Sequence, residues 1–294
     1  MAFVDFQTET PMLTIDKVEK SMNECVSIND RPLLTISVVT FDPNFVELRQ
    51  TLDSLTIALK KIEKCSFLLT IIDNSAGNSV SIFLAENYRH LPIRLLHGHG
   101  NIGFGRAHNL ALDTLGKFHL ILNPDIQLHP EALANAVAFM NANQKCGLIS
   151  PYAEWPDGVR QYLCKRYPSV FDLFLRGFAP KIIRTFFKKR LQRYEMQTET
   201  QNNVYWNPPI VSGCLMFFRS QTIIETGGFS DSYFLYFEDF DLSLRVHSFS
   251  QIAYVPAVRL IHSGGNTSKK GFWHIRTFIR SAILFYKDHG LKII

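Results

Sequence analysis

Cysteine is scarce and scattered in this sequence of 294 residues. The five cysteines are Cys25, Cys65, Cys146, Cys164 and Cys214, and no two of them form a C-x-x-C pair. An odd number of isolated cysteines argues against a disulfide scaffold and against a zinc ribbon. The pattern is typical of a protein from a reducing compartment.

Long apolar runs are also absent. No stretch approaches the roughly 18 consecutive apolar residues that a membrane-spanning helix needs. The N-terminus has acidic residues early and no apolar core, so it does not resemble a secretory signal. We therefore expect a cytoplasmic protein whose membrane contact, if any, is peripheral and on the inner face of the plasma membrane.

Motifs of several other enzyme classes are missing. The G-x-S-x-G elbow of serine hydrolases does not occur, and no Lys-Ser or Lys-Thr pair follows the glycines at 98, 100, 103 and 105. The net charge of +5 is too small to require a nucleic-acid partner, and we expect none. With 46% apolar and 19% charged residues, the chain can form a large core, which excludes general disorder.

Strand-like and helix-like segments alternate in the first half of the chain. Apolar, β-branched runs predict strands at 34–40, 67–72, 93–96 and 119–122, and helical spacing predicts helices at 43–59, 79–88, 106–115 and 131–141. This alternation predicts an α/β fold with a Rossmann-like, mostly parallel central sheet flanked by helices.

The pattern is weaker after residue 148. It predicts irregular strand and loop over 149–175, a strand over 211–218, a helix over 238–249, short strands at 253–255 and 259–261, and a helix over 272–288. We divide the chain into an N-terminal extension (1–32), a main domain (33–267) and a C-terminal amphipathic helix packed on it (268–294).

Polar clusters follow three of the predicted strands, at Thr40–Asp42, Asp73–Ser75 and Asn123–Asp125. Ligands of open α/β sheets bind beyond the carboxyl ends of the strands, so these clusters indicate a ligand site. Asp125 is suited to hold Mg²⁺ or Mn²⁺ beside a diphosphate. Each cluster is also compatible with an ordinary turn or helix cap.

The densest acidic group, Glu238-Asp239-Phe240-Asp241, opens a predicted helix behind an aromatic stretch over 229–237. Aromatic surroundings can desolvate a carboxylate and tune it as a base, and Asp239 is our candidate, with Glu238 orienting an acceptor. An alternative interpretation is that these carboxylates only provide the negative charge that is favoured at the start of a helix. We expect Asp241 to have a structural role. His262 ends a predicted strand and is a candidate metal ligand, although a lone histidine is usually structural.

Taken in order, the motifs resemble those of family 2 glycosyltransferases, in the bacterial rhamnosyltransferase-like branch. The residues that carry the resemblance, over roughly 33–290, are Val38–Asp42, Ile72–Ser75, Gly100–Asn109, Leu122–Asp125, Ser212–Cys214, Gly227–Phe229 and Phe237–Leu242.

The resemblance implies a GT-A fold with a C-terminal acceptor-side region, and inverting sugar transfer from a nucleotide-diphospho-sugar. It places Asn123–Asp125 at the family's D-x-D metal motif, with Asn123 in place of the first Asp. The implied metal ligands are Asp125 and His262, and the implied base is Asp239. The expected donor-site residues are Thr40, Asp42, Asp73, Asn101, Gly103, Asn109 and Asn123, and the expected acceptor-site residues are Glu238, Trp155 and Arg160.

Donor and acceptor remain open on sequence alone. The resemblance suggests dTDP-rhamnose, with a UDP-hexose as the alternative, and a glycan or lipid-diphosphate-linked acceptor. Segment 176–193 contains seven Lys or Arg among Ile, Phe and Leu, which indicates either an anionic membrane contact or a solvated helix face. A nucleotidyltransferase and a non-catalytic sugar- or lipid-binding module are the rival interpretations, and no oligomeric state is indicated.

Overall fold

A computed structural model of the chain describes residues 31–264 and 271–294. The predicted N-terminal extension (1–32) falls almost wholly outside the described residues, as does the predicted boundary at 267/268. The strands are β1 (Leu34–Thr40), β2 (Phe67–Asp73), β3 (Ile93–Leu96), β4 (Phe118–Leu122), β5 (Ile126–Leu128), β6 (Cys146–Glu154), β7 (Arg160–Gln161), β8 (Cys164–Lys165), β9 (Tyr205–Trp206), β10 (Ile210–Val211), β11 (Leu215–Arg219) and β12 (Gln251–His262). The helices are α1 (Phe45–Lys60), α2 (Ser79–Asn87), α3 (Phe104–Asn109), α4 (Ala132–Ala142), α5 (Val170–Gly177), α6 (Lys181–Phe186), α7 (Lys188–Tyr194), α8 (Ser220–Thr226), α9 (Glu238–Val246) and α10 (Phe272–His289).

One large sheet organises the described part of the chain. Its strand order is β3-β2-β1-β4-β11-β6-β12-β5, with β7 beside β6 and β9 beside β12. Strands β3, β2, β1 and β4 are parallel, β6 and β12 form another parallel pair, and β11 is antiparallel to both β4 and β6. The predicted α/β class with a mostly parallel sheet and flanking helices is confirmed.

Apolar residues pack on both faces of this sheet. Leu120 and Leu122 of β4 belong to a core layer that includes the buried stripe of α1, whereas Ile121 between them packs with α8 and α9. Helix α1 begins where the Asn44 side chain accepts a hydrogen bond from the Val46 N–H at 3.0 Å. Both faces of the sheet are therefore covered.

Several elements differ from the sequence prediction, including helix α5, which lies partly in the stretch predicted to be irregular strand and loop over 149–175. Strand β6 occupies nine residues at the centre of the sheet, where irregular structure is predicted from residue 149 onward. Strand β12 is continuous through an irregularity between Val255 and Arg259 instead of forming two short strands. Helix α3 ends at Asn109 because the next residues form tighter i,i+3 turns, beginning with Leu110 N–H to Ala107 O at 3.1 Å.

The C-terminal helix α10 packs against the segment that precedes α9. The Phe237 ring lies 5.1 Å from that of Phe278 and 5.3 Å from that of Phe285. The Ser281 hydroxyl donates to the Leu235 carbonyl at 2.8 Å, and His289 contacts Asp241 at 2.9 Å. This helix therefore supports the loop that leads into Glu238 and Asp239.

Candidate active site

Thr40 and Asp73 meet at the carboxyl ends of the paired strands β1 and β2. The Thr40 hydroxyl donates to Asp73 Oδ1 at 2.9 Å, and the Ser75 hydroxyl donates to the same oxygen at 2.7 Å. Ser75 Oγ in turn accepts from the Asp42 N–H at 2.8 Å, while the Asp42 side chain is exposed. The two clusters predicted at these strand ends thus form one hydrogen-bonded site with a buried carboxylate.

The glycine-rich loop lies beside this cluster. One Asn74 amide N–H donates to the Gly103 carbonyl at 3.2 Å, and Asn101 Oδ1 accepts from the Gly103 N–H at 3.1 Å. Gly103 has φ +94°, and a Cβ there would lie 2.3 Å from the Phe234 carbonyl oxygen. Only glycine fits this close approach, which ties the predicted donor loop to the loop before α9.

Asn109 links the same two segments. Its Oδ1 accepts from the Phe229 N–H at 2.9 Å, and its Nδ2 donates to the Phe229 carbonyl at 2.8 Å. These two bonds give Asn109 a positioning role, and direct contact with a donor stays a prediction.

Asp125 and His262 lie side by side, with 3.6 Å between Asp125 Oδ1 and His262 Nε2. The antiparallel pairing of β12 with β5 brings them together, because His262 lies opposite Ile126. Asp125 Oδ1 is buried and has no hydrogen-bond partner among the described residues. A Cβ on Gly264 would lie 1.9 Å from Asp125 Oδ2, so this glycine leaves space beside the carboxylate.

The chemistry of this pair fits a divalent cation. A carboxylate oxygen without a partner and an imidazole nitrogen are suitable ligands for Mn²⁺, and Mg²⁺ commonly takes one or two carboxylates plus substrate phosphates. No group of three or more His, Cys, Asp or Glu side chains suited to a metal occurs in the described ranges. A cation held by this pair would therefore need further ligands from substrate or water.

Two residues that the sequence analysis did not select hold this pair in place. Gln161 Oε1 lies 3.0 Å from His262 Nδ1, and Gln161 Nε2 donates to the His262 carbonyl at 2.7 Å, which leaves Nε2 directed at Asp125. Thr51 of α1 donates to the Pro124 carbonyl at 2.8 Å and accepts from the Ile126 N–H at 3.1 Å. Neither Gln161 nor Thr51 belongs to a recognisable sequence motif, because each contacts residues that are far away in the sequence.

Asp239 is held at the start of α9 by two backbone N–H groups. Its Oδ2 accepts from Gly213 at 2.8 Å, and its Oδ1 accepts from Phe240 at 3.0 Å. Burial raises the pKa of Asp239 despite these hydrogen bonds, which act in the opposite direction. The preceding Tyr236 and Phe237 have φ +70° and +68°, a left-handed conformation that is strained for aromatic residues.

The neighbouring carboxyl group differs in its environment. Glu238 Oε2 is buried and makes no hydrogen bond to the described residues. Burial, followed by the proximity of Asp239, raises the pKa of Glu238 to about 8. Asp241 contacts Arg245 at 2.7 Å as well as His289, so it has the structural role expected for it.

A short backbone connection joins the base candidate to the predicted metal motif. Asn123 N–H donates to the Cys214 carbonyl at 2.9 Å, and Cys214 directly follows the Gly213 that binds Asp239. Burial raises the pKa of the Cys214 thiol to about 12, and Asp125 and Asp239 both add to the effect. The two carboxylates therefore approach the same residue from different elements.

The two other acceptor candidates have different surroundings. Trp155 is partly exposed and stacks on His262, with 6.4 Å between ring centroids and 8° between planes. Arg160 donates to Gln201 O at 3.1 Å and to Tyr254 Oη at 2.9 Å. Its guanidinium also lies over two tyrosine rings, while its Nε is buried without a hydrogen-bond partner among the described residues. The acceptor contact of Arg160 stays a prediction.

Comparison with known proteins identifies related sequences, although no family model matches the chain. The chain is 24% identical over 274 residues to the N-acetylglucosaminyl-diphospho-decaprenol L-rhamnosyltransferase of Mycobacterium tuberculosis H37Rv, covering 87% of this chain and 84% of the relative. It is 24% identical over 196 residues to rhamnosyltransferase WbbL of Escherichia coli K12, covering 62% of this chain and 70% of the relative.

Solved structures show the same fold. GalNAc-T7 with UDP, GalNAc and Mn²⁺ matches with a TM-score of 0.58 and 14% identity over 80% of this chain and 44% of its own. The mannosyltransferase PcManGT of Pyrobaculum calidifontis with GDP-Man and Mn²⁺ matches with a TM-score of 0.55 and 20% identity, over 90% of this chain and 66% of its own. The chain thus has the GT-A fold of these glycosyltransferases, and its sequence is similar to those of rhamnosyltransferases, which supports the expected glycosyltransferase.

Proposed function

We propose that the protein transfers a sugar from a nucleotide-diphospho-sugar to a hydroxyl of a glycan or lipid-diphosphate-linked acceptor, with inversion at the sugar carbon. Rhamnose from dTDP-rhamnose is the first candidate, since both sequence relatives bear rhamnosyltransferase names. A UDP-hexose is the alternative donor, because the structural neighbour GalNAc-T7 was solved with UDP. Bacterial surface polysaccharide synthesis is the proposed context.

The observation that supports this proposal best is the link from Asp239 through Gly213 and Cys214 to Asn123 and Asp125. It joins a base candidate to a cation-binding carboxylate within one hydrogen-bonded segment. Thr40, Asp42 and Asp73 would contact the nucleoside, and the loop containing Asn101 and Gly103 would border the diphosphate and the sugar.

Asp125 and His262 are the residues that would hold Mg²⁺ or Mn²⁺. A bound cation would neutralise charge on the departing diphosphate. The two structural neighbours solved with Mn²⁺ support a divalent-metal dependence in general.

Asp239 is the proposed general base. Its two backbone hydrogen bonds orient the carboxylate, and its raised pKa strengthens it as a proton acceptor. In a single displacement, the acceptor oxygen forms a bond to the sugar carbon, the bond to the diphosphate oxygen breaks, and the hydroxyl proton passes to Asp239. Attack on the face opposite the leaving group inverts the configuration at that carbon.

Glu238 and Trp155 would orient the acceptor. With its pKa raised to about 8, Glu238 stays largely protonated at neutral pH and can donate a hydrogen bond to an acceptor oxygen. Trp155 presents a partly exposed ring beside His262, and sugars commonly pack on such rings.

Segment 176–193 would contact an anionic membrane surface from the cytoplasmic side. In α6, Ile182 is 73% exposed and Phe186 is 83% exposed, among basic side chains. Exposed apolar side chains next to positive charges are typical of an interfacial contact. Over residues 31–264 and 271–294, no helix is both long and apolar enough to cross a membrane.

A donor panel tests the proposal. The protein is incubated with dTDP-rhamnose and with UDP-hexoses, in Mn²⁺, in Mg²⁺ and in a chelator, and release of the nucleoside diphosphate is measured with and without acceptor. Acceptor-stimulated release from one donor, lost in the chelator, is the expected result. Absence of release from every donor would favour a non-catalytic binding module.

A further inference from the structure

Helix α3 contacts both the donor side and the base side of the candidate site. It begins directly after Gly103, at the end of the glycine-rich loop. The Phe104 ring lies against the backbone that holds the base candidate, because a Cβ on Gly213 would lie 3.4 Å from Phe104 Cε1 and 3.1 Å from Asp239 Cβ. The helix therefore lies between the loop predicted to border the donor and the residue proposed as the general base.

The same helix binds the segment that leads to Asp239. We call this segment, residues 228–237, the base loop. Asn109 binds both main-chain groups of Phe229, and the Phe104 N–H donates to the Phe234 carbonyl at 3.1 Å. These contacts attach the start and the later part of the base loop to α3, and an exposed stretch of the loop lies between the two attachments.

Arg106 of α3 binds this exposed stretch. Its Nε donates to the Asp231 carbonyl at 2.8 Å, and its Nη2 donates to the same oxygen. Asp231 and Ser232 are exposed, whereas the next side chain, that of Tyr233, is buried. Two N–H groups of one rigid guanidinium restrict the position of an oxygen more than a single bond would. Arg106 thus provides a third attachment of the base loop to α3.

We propose that Arg106 is a positioning residue for the general base. By holding the Asp231 carbonyl, it keeps the base loop on the helix that follows the glycine-rich loop. A nucleotide bound beside the glycine-rich loop then also restrains the chain that leads to Asp239. This rests on the proposed function and adds to it a residue that acts through the base loop, without touching donor or acceptor.

Hydrogen–deuterium exchange tests this coupling, with dTDP and UDP as the probes, each in Mn²⁺. Exchange is followed over residues 98–109 and over the base loop, with and without nucleotide, and nucleotide affinity is measured by calorimetry. The variants are Arg106→Gln, Arg106→Lys and Arg89→Gln. Arg89 is the matched control, because it is an exposed arginine whose Nε likewise donates to a main-chain carbonyl, that of Ala85 at 2.8 Å.

In the wild type and in Arg89→Gln, nucleotide should slow exchange over both segments. In Arg106→Gln it should slow exchange over 98–109 only, with nucleotide affinity unchanged. Arg106→Lys should be intermediate, because an ammonium can still donate to the carbonyl. With the donor that the panel identifies, kcat should fall about tenfold or more in Arg106→Gln while KM for the donor stays the same, since the base is misplaced and the donor site is intact.

Two results would overturn the proposal. One is that nucleotide slows exchange over the base loop equally in the wild type and in Arg106→Gln, or in neither. The other is weaker nucleotide binding by Arg106→Gln, which would make Arg106 a donor ligand instead. Failure of the donor panel, with the nucleotide-dependent slowing intact, would reject the proposed transfer and leave this result standing.

Discussion

The Gly213 N–H donates to Asp239 Oδ2 at 2.8 Å, and a Cβ on Gly213 would lie 3.1 Å from Asp239 Cβ. The Asp239 carboxylate therefore packs directly against the backbone of the segment that connects β10 to β11, because Gly213 has no side chain. This contact places the base candidate next to the segment that leads, through Cys214, to Asn123 of the predicted metal motif.

Asp239→Asn should lower the transfer rate by about 10²- to 10⁴-fold, because the amide has nearly the same shape but cannot accept the acceptor proton. Initial rates of nucleoside diphosphate release measure the effect. Asp231→Asn, at an exposed residue whose main-chain oxygen alone contacts Arg106, is the matched control and should retain activity. A fully active Asp239→Asn variant would eliminate this carboxylate as the base.

Glu238 should make stability fall as pH rises. Its pKa is about 8 in the folded protein against a usual 4.5, so between these values the folded state binds more protons than the unfolded chain. The contribution of Glu238 to folding stability is therefore greatest below pH 4.5. It is lost as the pH rises toward 8, by at most about 1.4 kcal/mol per pH unit. In Glu238→Gln the free energy of unfolding should depend less on pH, and in Glu86→Gln the dependence should match the wild type.

Gly264→Ala should impair metal activation, because the new methyl group would lie 1.9 Å from Asp125 Oδ2 and displace that carboxylate. We expect the Mn²⁺ concentration for half-maximal rate to rise. Gly77→Ala is the matched control, since a Cβ there meets nothing within 4 Å. Unchanged metal dependence in both variants would contradict the assignment of Asp125 as a ligand.

Gln161→Leu should weaken metal binding about tenfold or more, because it removes the hydrogen bonds that orient His262. The rate at saturating Mn²⁺ should recover more than the rate at low Mn²⁺. Gln221→Leu changes an exposed helical glutamine and should have neither effect. If the loss were identical at all metal concentrations, Gln161 would have only a general structural role.

The double substitution Ile182→Ser and Phe186→Ser should weaken binding to phosphatidylglycerol vesicles about tenfold or more, since two exposed apolar side chains would no longer enter the bilayer. Vesicle co-sedimentation measures this, with phosphatidylcholine vesicles for comparison. Val46→Ser with Ile82→Ser removes similarly exposed apolar side chains elsewhere. Equal loss in both double variants would argue against a specific membrane contact at α6.

The first half of the fold is readable from the sequence because its determinants are local. β1 is a run of buried β-branched and apolar residues, and α1 shows its buried stripe at helical spacing. β6 is not readable in the same way, because Pro151 interrupts the local strand pattern and the pairing with β11 and β12 completes the strand. Buried strand segments of this kind gain their stability from cross-strand pairing, which no local window contains.

By itself, the sequence determined the residue types of the site and their location at strand ends and at the start of α9. The pairings were decided by tertiary structure. His262 reaches Asp125 through the register of β12 against β5, and Gln161 reaches His262 across 101 residues. Arg176 and Lys165 share Glu195 only once α5, α7 and β8 have packed. The local sequence determines the backbone conformation that each segment prefers. The interactions of charges and metal ligands depend instead on the distances between their atoms, and those distances are set only when the chain folds.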